Sequence, residues 1–287
     1  MMDLRGKDVA KRLRTEAAET IEKLKENNVA PALAIVRVGD DESSVSYEKS
    51  ATSTMKKAGI DVKAFHYPES ITEDEVVKNF QAINGDPAIH GILVMQPLPK
   101  HLSRETIASF ISPQKDIDGL ASANLGELVQ ESEKGFAPST PTAVIEMLEH
   151  YEIDVKGKDV CIVGSSPVVG KPLGLMLVNR GATVTLCHIY TKDVKKYSQD
   201  ADIVISATGA VGLITADHVK EGAVVIDVGF GYDEEGKPAG DVRFEEVTQK
   251  AGALTPVPGG VGTVTTAVLA KQVAKAAKGL SEKKGSR

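Results

Sequence analysis

The sequence predicts an α/β protein built from two domains. Short apolar segments alternate with helical segments along most of the chain, which is the pattern of parallel sheets covered by helices on both faces. The chain has 287 residues, which is more than one typical domain. In its second half, an apolar strand runs into a glycine-bearing turn and a helix, and further strand–helix units follow. This is the dinucleotide-binding arrangement, so the second domain is predicted to be a Rossmann-like parallel sheet, with a cleft between the two domains.

The first half of the chain is predicted to hold three helices and three strands. The strands are nearly continuous apolar runs, and the first helix is amphipathic. Gly59 is placed to end the second helix as its C-cap, and Thr72 and Glu75 have the spacing of a capping box at the start of the third. The predicted elements are helix 8–27, strand 32–39, helix 43–58, strand 61–67, helix 72–84 and strand 89–96.

The second half continues the alternation after an irregular stretch. Residues 112–138 are predicted to be irregular, because Asp, Gly, Pro and Asn recur there. A helix with Pro141 at its first position is predicted to bridge the domains, and Gly279 is placed just past the end of a long C-terminal helix. The predicted elements are helix 141–151, strand 159–164, helix 169–179, strand 183–188, helix 193–200, strands 202–208, 223–229 and 253–257, and helix 261–278.

Composition and charge exclude several classes of function. Hydrophobic residues make up 41% of the chain and charged residues 26%, as in globular proteins. The net charge of -6 and the aromatic content of 4%, without Trp, are unlike those of a nucleic-acid-binding protein. No apolar run is long enough to span a membrane, and the N-terminus lacks the pattern of a signal peptide. Cys161 and Cys187 lie in apolar strands, so we expect reduced thiols in a cytoplasmic protein. The charge and the apolar pattern together predict that neither nucleic acid nor a membrane is a partner.

Two glycine-rich turns and one acidic residue are candidates for ligand binding. Gly164 permits a tight turn before a helix N-terminus, whose free N–H groups and dipole suit a pyrophosphate. The glycines of residues 256–262 allow a backbone to approach a planar ligand closely. Asp118 is able to accept hydrogen bonds from an amino-pyrimidine ring. Each segment also has a ligand-free interpretation, as a strand–helix turn, a loop before a helix or an Asp-Gly turn. For residues 256–262 and for Asp118, taken alone, the ligand-free interpretation is favoured. The generic G-x-G-x-x-G pattern is absent, and no spacing of His, Cys, Asp or Glu indicates a metal site.

Taken in order, eight segments of the chain resemble the methylenetetrahydrofolate dehydrogenase/cyclohydrolase family. They extend over more than two hundred residues, which makes them far more specific together than any one alone. The segments are Val38-Gly39 with Ser46-Tyr47, and residues 91–99, 115–119, 138–141, 164–172, 183–188, 226–229 and 255–262.

The resemblance implies a folate-binding catalytic domain over residues 1–140, completed by a C-terminal helix of about 262–287, and an NAD(P)-binding domain over 141–261. It implies a homodimer that oxidises 5,10-methylenetetrahydrofolate to the 5,10-methenyl form, which most members then hydrolyse. By resemblance, Tyr47 stacks near the folate and Asp118 holds the pterin. The other substrate-site candidates are Val94, Met95, Gln96, Pro258, Gly259, Gly260, Val261 and Gly262. The cofactor-site candidates are Gly164, Ser165, Ser166, Val169, Ile189, Thr208, Gly209 and Phe230.

Two positions depart from the family pattern in the catalytic domain. The family has Tyr-x-x-x-Lys where this chain has Tyr47 and Ala51. Residues four apart on a helix lie about 40° apart, but residues two apart lie about 200° apart, so Lys49 does not replace the lysine. The family glutamine that contacts the lysine corresponds to Met95, and Gln96 would face the opposite side of a strand.

These losses affect the two reactions of the family differently. Loss of hydride from a carbon flanked by two nitrogens requires orientation against the nicotinamide rather than a proton acceptor. Hydrolysis requires an acid–base group that activates water. We therefore expect a dehydrogenase with weak or lost cyclohydrolase activity. The alternatives are a full bifunctional enzyme, in which Lys56 or a water network replaces the lysine, and a degenerate nucleotide-binding regulatory subunit.

The cofactor is predicted to be NAD+ rather than NADP+. NADP-dependent members of the family carry Arg and Ser at the positions of Ser165 and Ile189. A 2′-phosphate would find no guanidinium there. His188 and Lys192 keep NADP+ open as an alternative.

Overall fold

The computed structural model describes residues 1–132 and 134–285. It divides into two compact units. One comprises Arg12–Ser139 and the chain from Thr266 onward, and the other comprises Met1–Lys11 and Thr140–Thr265. We call them the three-stranded and the six-stranded unit, after their main sheets. Both sheets are parallel, which confirms the predicted α/β class.

The strands and helices follow one another along most of the chain. The strands are β1 (Met2–Asp3), β2 (Ala32–Val38), β3 (Asp61–Tyr67), β4 (Gly91–Val94), β5 (Asp159–Val163), β6 (Thr183–Cys187), β7 (Ile203–Ser206), β8 (Val224–Asp227), β9 (Gly231–Tyr232), β10 (Pro238–Ala239) and β11 (Ala253–Leu254). The helices are α1 (Gly6–Glu26), α2 (Glu42–Lys57), α3 (Glu73–Gly85), α4 (Arg104–Ser109), α5 (Ser122–Val129), α6 (Ser139–His150), α7 (Gly170–Val178), α8 (Lys195–Ser198), α9 (Phe244–Val247) and α10 (Val261–Gly285).

The three-stranded unit has the strand order β3-β2-β4. Its central strand β2 is buried along its whole length, which explains the continuous apolar run in the sequence. Leu33 and Ile35 of β2 lie in one apolar cluster with Met55 of α2 and Val273 of α10. The C-terminal helix is therefore part of the core of this unit.

The six-stranded unit has the order β1-β11-β8-β7-β5-β6. Numbered from β5 along the chain, the last five strands lie in the order 2-1-3-4-5 of a doubly wound sheet. The order reverses between β5 and β7, and ligands of such sheets bind outside the carboxyl ends of the strands at that switch point. The N-terminal β1 adds a sixth strand through the pairs Met2↔Ala253 and Asp3↔Leu254, which the sequence analysis did not predict.

Several predictions of secondary structure were wrong. The helix predicted to begin at Pro141 begins two residues earlier, at Ser139. The C-terminal helix does not stop before Gly279 but continues to Gly285. Gly279 has open space where a side chain would lie, so nothing there requires the special backbone of a C-cap. The stretch predicted to be irregular contains α5, because the buried side chain of Asn124 donates to the Asp116 carboxylate (2.8 Å) and accepts from the Phe136 amide (3.2 Å). These bonds join residues distant in sequence, so the local composition did not reveal them.

Candidate active site

A hydrogen bond connects the start of α2 to the segment that follows β4, and it positions the next helical turn of α2. Asp41 caps the helix by accepting from the Ser44 amide at 3.0 Å. The Ser44 hydroxyl in turn donates to the carbonyl of Gln96 at 2.8 Å. Tyr47, three residues further along α2, is thereby held beside the carboxyl end of the sheet.

The face of α2 that carries Tyr47 is apolar. Ala51 and Met55 are fully buried, and the half-buried Tyr47 packs against their cluster. Met95, which is 2% exposed, belongs to the same cluster. The structure therefore brings together the positions of the family lysine and glutamine, and a methyl group and a thioether occupy them.

Gln96 does not take the place of the missing glutamine. Its side chain is exposed, whereas the preceding Met95 is buried and donates its amide to the Val36 carbonyl at 2.8 Å. Lys49 and Lys56 are also exposed. Both lie about 180–200° around the helix from Tyr47. None of these three side chains lies on the buried face.

Asp118 is the charged group that acts on the pKa of Tyr47. It accepts from the Ser139 amide at 3.2 Å. Burial, with a smaller contribution from the negative charge of Asp116, raises the pKa of Asp118 to about 6, although the hydrogen bonds of Ser139 and the charge of Arg104 act in the opposite direction. Burial raises the pKa of Tyr47 far above its usual value, and the charge of Asp118 adds to this rise. Tyr47 is therefore neutral at physiological pH and shares an electrostatic environment with Asp118.

A partly buried ionic network that no local motif indicated lies next to Tyr47 on α2. Arg37, at the end of β2, donates to the Glu48 carboxylate at 2.7 Å and to Asp40 at 2.5 Å. The other oxygen of Glu48 lies 2.6 Å from Nε2 of His66 on β3. The signal in the sequence was a single arginine in an otherwise apolar strand. The network fastens α2 to two strands of the sheet.

The turn after β5 lies against the turn after β7 at the switch point of the other sheet. Gly164 has a φ of +119°, and a Cβ there would collide with the carbonyl of Ala207. A Cβ on Gly170 would collide with the carbonyl of Gly164. The amides of Ser165 and Ser166 have no acceptor among the described residues. Free N–H groups on a close-packed glycine turn fit a dinucleotide pyrophosphate.

The remaining cofactor candidates follow neighbouring strands of this sheet. Ile189 follows β6 and is 91% exposed, Thr208 and Gly209 follow β7, and Phe230 follows β8 and is 58% exposed. Val169 immediately precedes α7 and donates its amide to the Ser166 hydroxyl at 3.1 Å. Because the strands are parallel, their carboxyl ends meet at one edge. The structure therefore gathers these residues at the edge where the sequence predicts the cofactor.

Residues 258–260 lie in the turn between β11 and α10 of the six-stranded unit, and Val261 and Gly262 begin α10. The carbonyl of Gly259 accepts from the Gly6 amide at 2.8 Å, and Val261 is buried at the start of α10. The Val257–Pro258 peptide bond is cis. The turn is thus held by the N-terminal segment of the chain, a contact that no local motif indicates.

Two further features concern ions and membranes. Within residues 1–132 and 134–285, no group of three His, Cys, Asp or Glu side chains is placed to hold a metal ion. No helix in the same part of the chain is both long and apolar enough to cross a bilayer.

Comparison with known proteins identifies the family. Residues 4–118 match the catalytic domain of tetrahydrofolate dehydrogenase/cyclohydrolase, and residues 138–281 match its NAD(P)-binding domain. The chain is 45% identical over 275 residues to the bifunctional protein FolD of Alkaliphilus metalliredigens, covering 96% of this chain and 97% of the relative. The chain belongs to the tetrahydrofolate dehydrogenase/cyclohydrolase family.

Solved structures of this family agree with that assignment. The bifunctional enzyme FolD of Campylobacter jejuni, a methylenetetrahydrofolate dehydrogenase/cyclohydrolase, matches with a TM-score of 0.95 at 43% identity, covering 97% of this chain and 99% of that one. The Trypanosoma brucei FolD, solved with NADP cofactor and an inhibitor, matches with a TM-score of 0.92 at 31% identity, covering 97% of each chain. The resemblance inferred from the sequence is confirmed.

The family domains divide the candidate residues. Tyr47, Ala51, Met95 and Asp118 fall in the part that matches the catalytic domain. Every cofactor candidate falls in the part that matches the NAD(P)-binding domain. That second part also contains two buried carboxylates that were not among the candidates, Asp227 and Asp241.

Asp227 organises the chain around the end of β8. Its carboxylate accepts from the amides of Gly229 (2.9 Å), Asp241 (3.1 Å) and Val242 (2.9 Å). Burial raises the pKa of Asp227 to about 6, with a smaller contribution from the charge of Asp241, against the effect of these hydrogen bonds. Asp227 therefore holds the segment that carries Asp241 beside β8.

Proposed function

We propose that this protein oxidises 5,10-methylenetetrahydrofolate to 5,10-methenyltetrahydrofolate with NAD+ and has weak or no cyclohydrolase activity. The observation that carries the proposal is the fully buried Ala51, one helical turn from Tyr47, with Met95 in the same apolar cluster. The family membership supports the folate substrate and the nicotinamide cofactor.

The residues that remain suffice for the oxidation. The neutral Tyr47 presents an aromatic ring against which the folate stacks. Asp118 accepts hydrogen bonds from the amino-pyrimidine edge of the pterin, which fixes the orientation of the substrate. The bound nicotinamide supplies the acceptor of the hydride. The nitrogens beside the reacting carbon stabilise the cation that forms, so the protein contributes orientation and needs no base.

Hydrolysis makes a different demand on the same pocket. Water must be activated and protons moved, which requires a positioned acid–base group. Ala51 and Met95, which lie in the apolar cluster beside Tyr47, carry no titratable group, and Asp118 is occupied in binding the pterin. The lysines of α2 nearest to Tyr47 lie on other faces of the helix. We therefore expect hydrolysis to be slower by roughly 100- to 10,000-fold than in a member with the lysine.

The cofactor preference rests on the edge of the six-stranded sheet. Ser165 has only a short hydroxyl to offer, and the exposed Ile189 offers no polar group at all. A 2′-phosphate would lack the bidentate guanidinium that binds such groups well. We therefore favour NAD+ over NADP+.

The full bifunctional enzyme is the second candidate, because the relatives carry that name. Separate assays of the two half-reactions distinguish the two. The purified protein should form methenyltetrahydrofolate and NADH from methylenetetrahydrofolate and NAD+, and it should accelerate methenyl hydrolysis little. A hydrolytic turnover equal to that of the oxidation would establish the bifunctional enzyme instead.

We further propose that the protein is a cytoplasmic homodimer. The family resemblance supports the dimer, and the two free, buried thiols suit a reducing compartment. Light scattering on the purified chain measures the mass directly, and a monomer at micromolar concentration would contradict the assignment.

A further inference from the structure

We propose that Asp241 is a positioning residue for the dinucleotide. It fixes the turn after β7 so that the backbone at Gly209 forms one wall of the cofactor site. The inference rests on the proposed function, because it takes a nicotinamide dinucleotide as the ligand of this sheet edge.

One oxygen of Asp241 holds the end of β7 and the turn that follows it. Oδ2 accepts from the Ser206 hydroxyl at 2.7 Å. The same atom accepts from Thr208 twice, from its amide at 2.7 Å and from its hydroxyl at 2.8 Å. Asp241 is fully buried, and it lies 33 residues from Thr208 in sequence. Charge-assisted bonds of this length are among the stronger hydrogen bonds in proteins.

The hydroxyl hydrogen of Thr208 is used in the bond to Asp241, so the side chain has no hydrogen left to donate to a ligand. Its hydroxyl donates to Asp241 and accepts from the Ala210 amide at 3.1 Å. The Gly209 amide, by contrast, has no acceptor among the described residues. Gly209 is exposed with a φ of +71°, and its surroundings are open where a side chain would lie. The group available to a ligand in this turn is therefore the Gly209 peptide, and the Thr208 side chain serves to hold it.

The turn lies where a ligand of this sheet should pass. Ala207 donates its amide to the Val163 carbonyl at 2.8 Å, and its own carbonyl abuts Gly164. The turns after β5 and β7 thus flank the switch point from its two sides. A dinucleotide whose pyrophosphate lies on the Gly164 turn reaches the Gly209 peptide next.

The second oxygen of Asp241 distinguishes a positioning role from simple stabilisation. Oδ1 is buried without a hydrogen-bond partner among the described residues. It lies so close to Gly229 that a side chain there would collide with it. Leaving a buried carboxylate oxygen unpaired is unfavourable. A carboxylate buried at this cost, with its side-chain bonds directed to the end of β7 and to the turn after it, indicates that it positions that turn.

The test is a direct titration of NADH fluorescence with the full chain in the absence of folate. Asp241→Asn and Thr208→Val should each weaken NADH binding, with the dissociation constant rising by about 10-fold or more, as expected for loss of a hydrogen bond to a charged group. Thr208→Ser should retain wild-type affinity, because the hydroxyl is kept. Asp202→Asn is the matched control, since Asp202 accepts from the Asp159 amide and Lys220 at the opposite end of β7.

The kinetic readout separates positioning from general damage. The Asp241 and Thr208→Val variants should raise the KM for NAD+ while the KM for the folate substrate stays within twofold. If Asp241→Asn does not fold, Thr208→Val alone decides, because it keeps the shape of the side chain. Unchanged NADH affinity in Thr208→Val, or an equal loss in Asp202→Asn, would overturn the inference. NADH binding without turnover in the wild type would refute the dehydrogenase and leave this inference standing, whereas a wild type that binds no dinucleotide would refute both.

Discussion

Tyr47 and Ala51 lie one helical turn apart on α2 and pack into the same apolar cluster. The face on which the family places an ammonium group is therefore closed by a methyl group. Met95, at the position of the family glutamine, lies in the same cluster, so the lysine and the glutamine are both replaced by apolar residues that pack together. A lysine without its glutamine, or a glutamine without its lysine, would be a buried polar group lacking its partner.

Restoring both partners should restore hydrolysis. We expect Ala51→Lys with Met95→Gln to raise methenyltetrahydrofolate hydrolysis by about 100-fold or more, because it returns an acid–base group to the pocket. The melting temperature should fall, since an ammonium replaces a fully buried methyl group. Ala51→Met with Met95→Gln adds bulk without charge and serves as the control. An equal gain in that control would contradict the missing-base account.

Asp118 should give substrate binding an acid limb. Its pKa is raised to about 6, so it takes up a proton at a higher pH than an ordinary aspartate does. As the pH falls from 7.5 to 5.5, the carboxylate that accepts from the pterin is lost, and the dissociation constant of a folate-analogue inhibitor should rise. Above pH 7 it should be constant. Asp118→Asn should bind weakly at every pH, and persistence of the acid limb in that variant would assign it to another group.

Ser165→Arg should shift the cofactor preference. A guanidinium at this turn binds a 2′-phosphate with two parallel hydrogen bonds, so kcat/KM for NADP+ should rise by roughly 10-fold or more. The value for NAD+, which has no phosphate there, should change little. Ser165→Gln adds length without charge and should leave the ratio unchanged. A wild type that already prefers NADP+ would refute the assignment.

The two cysteines should be unreactive in the folded protein. Cys161 and Cys187 are buried with their sulfur atoms 3.9 Å apart, and burial raises the pKa of both thiols. The thiolate is the reactive form, so iodoacetamide at pH 8 should label neither residue within an hour. In denaturant both should react. Rapid labelling of one native thiol would indicate that the sheet edge opens in solution.

Loss of Arg37 should be costly for stability. The Arg37→Met variant leaves the Glu48 carboxylate, which is 12% exposed, without its guanidinium. Breaking a buried ion pair in this way costs about 3–5 kcal/mol in the free energy of unfolding. Adding Glu48→Gln should recover part of that loss, because the largely buried Glu48 side chain is then uncharged. Urea denaturation of the two variants measures the difference, and equal stabilities would show that the pair contributes little.

Local patterns in the sequence account for much of the secondary structure. An apolar run predicted β2, and the capping box at Thr72 and Glu75 is present in the structure. These features depend on residues within one turn or one strand of each other. Where the deciding contacts came from elsewhere in the chain, as for α5 and β1, the prediction failed.

The sequence by itself determined the α/β class, the family and the chemical departure at Ala51 and Met95, because these follow from residue identity, order and periodicity. Only the tertiary structure decided which polar groups serve the candidate sites. Arg37 meets Glu48 and His66, and Asp241 meets Thr208, through hydrogen bonds that form only when separate segments of the chain return to the same strand ends. A bond between distant residues leaves no local pattern in the sequence, so its partners become known only from the folded chain.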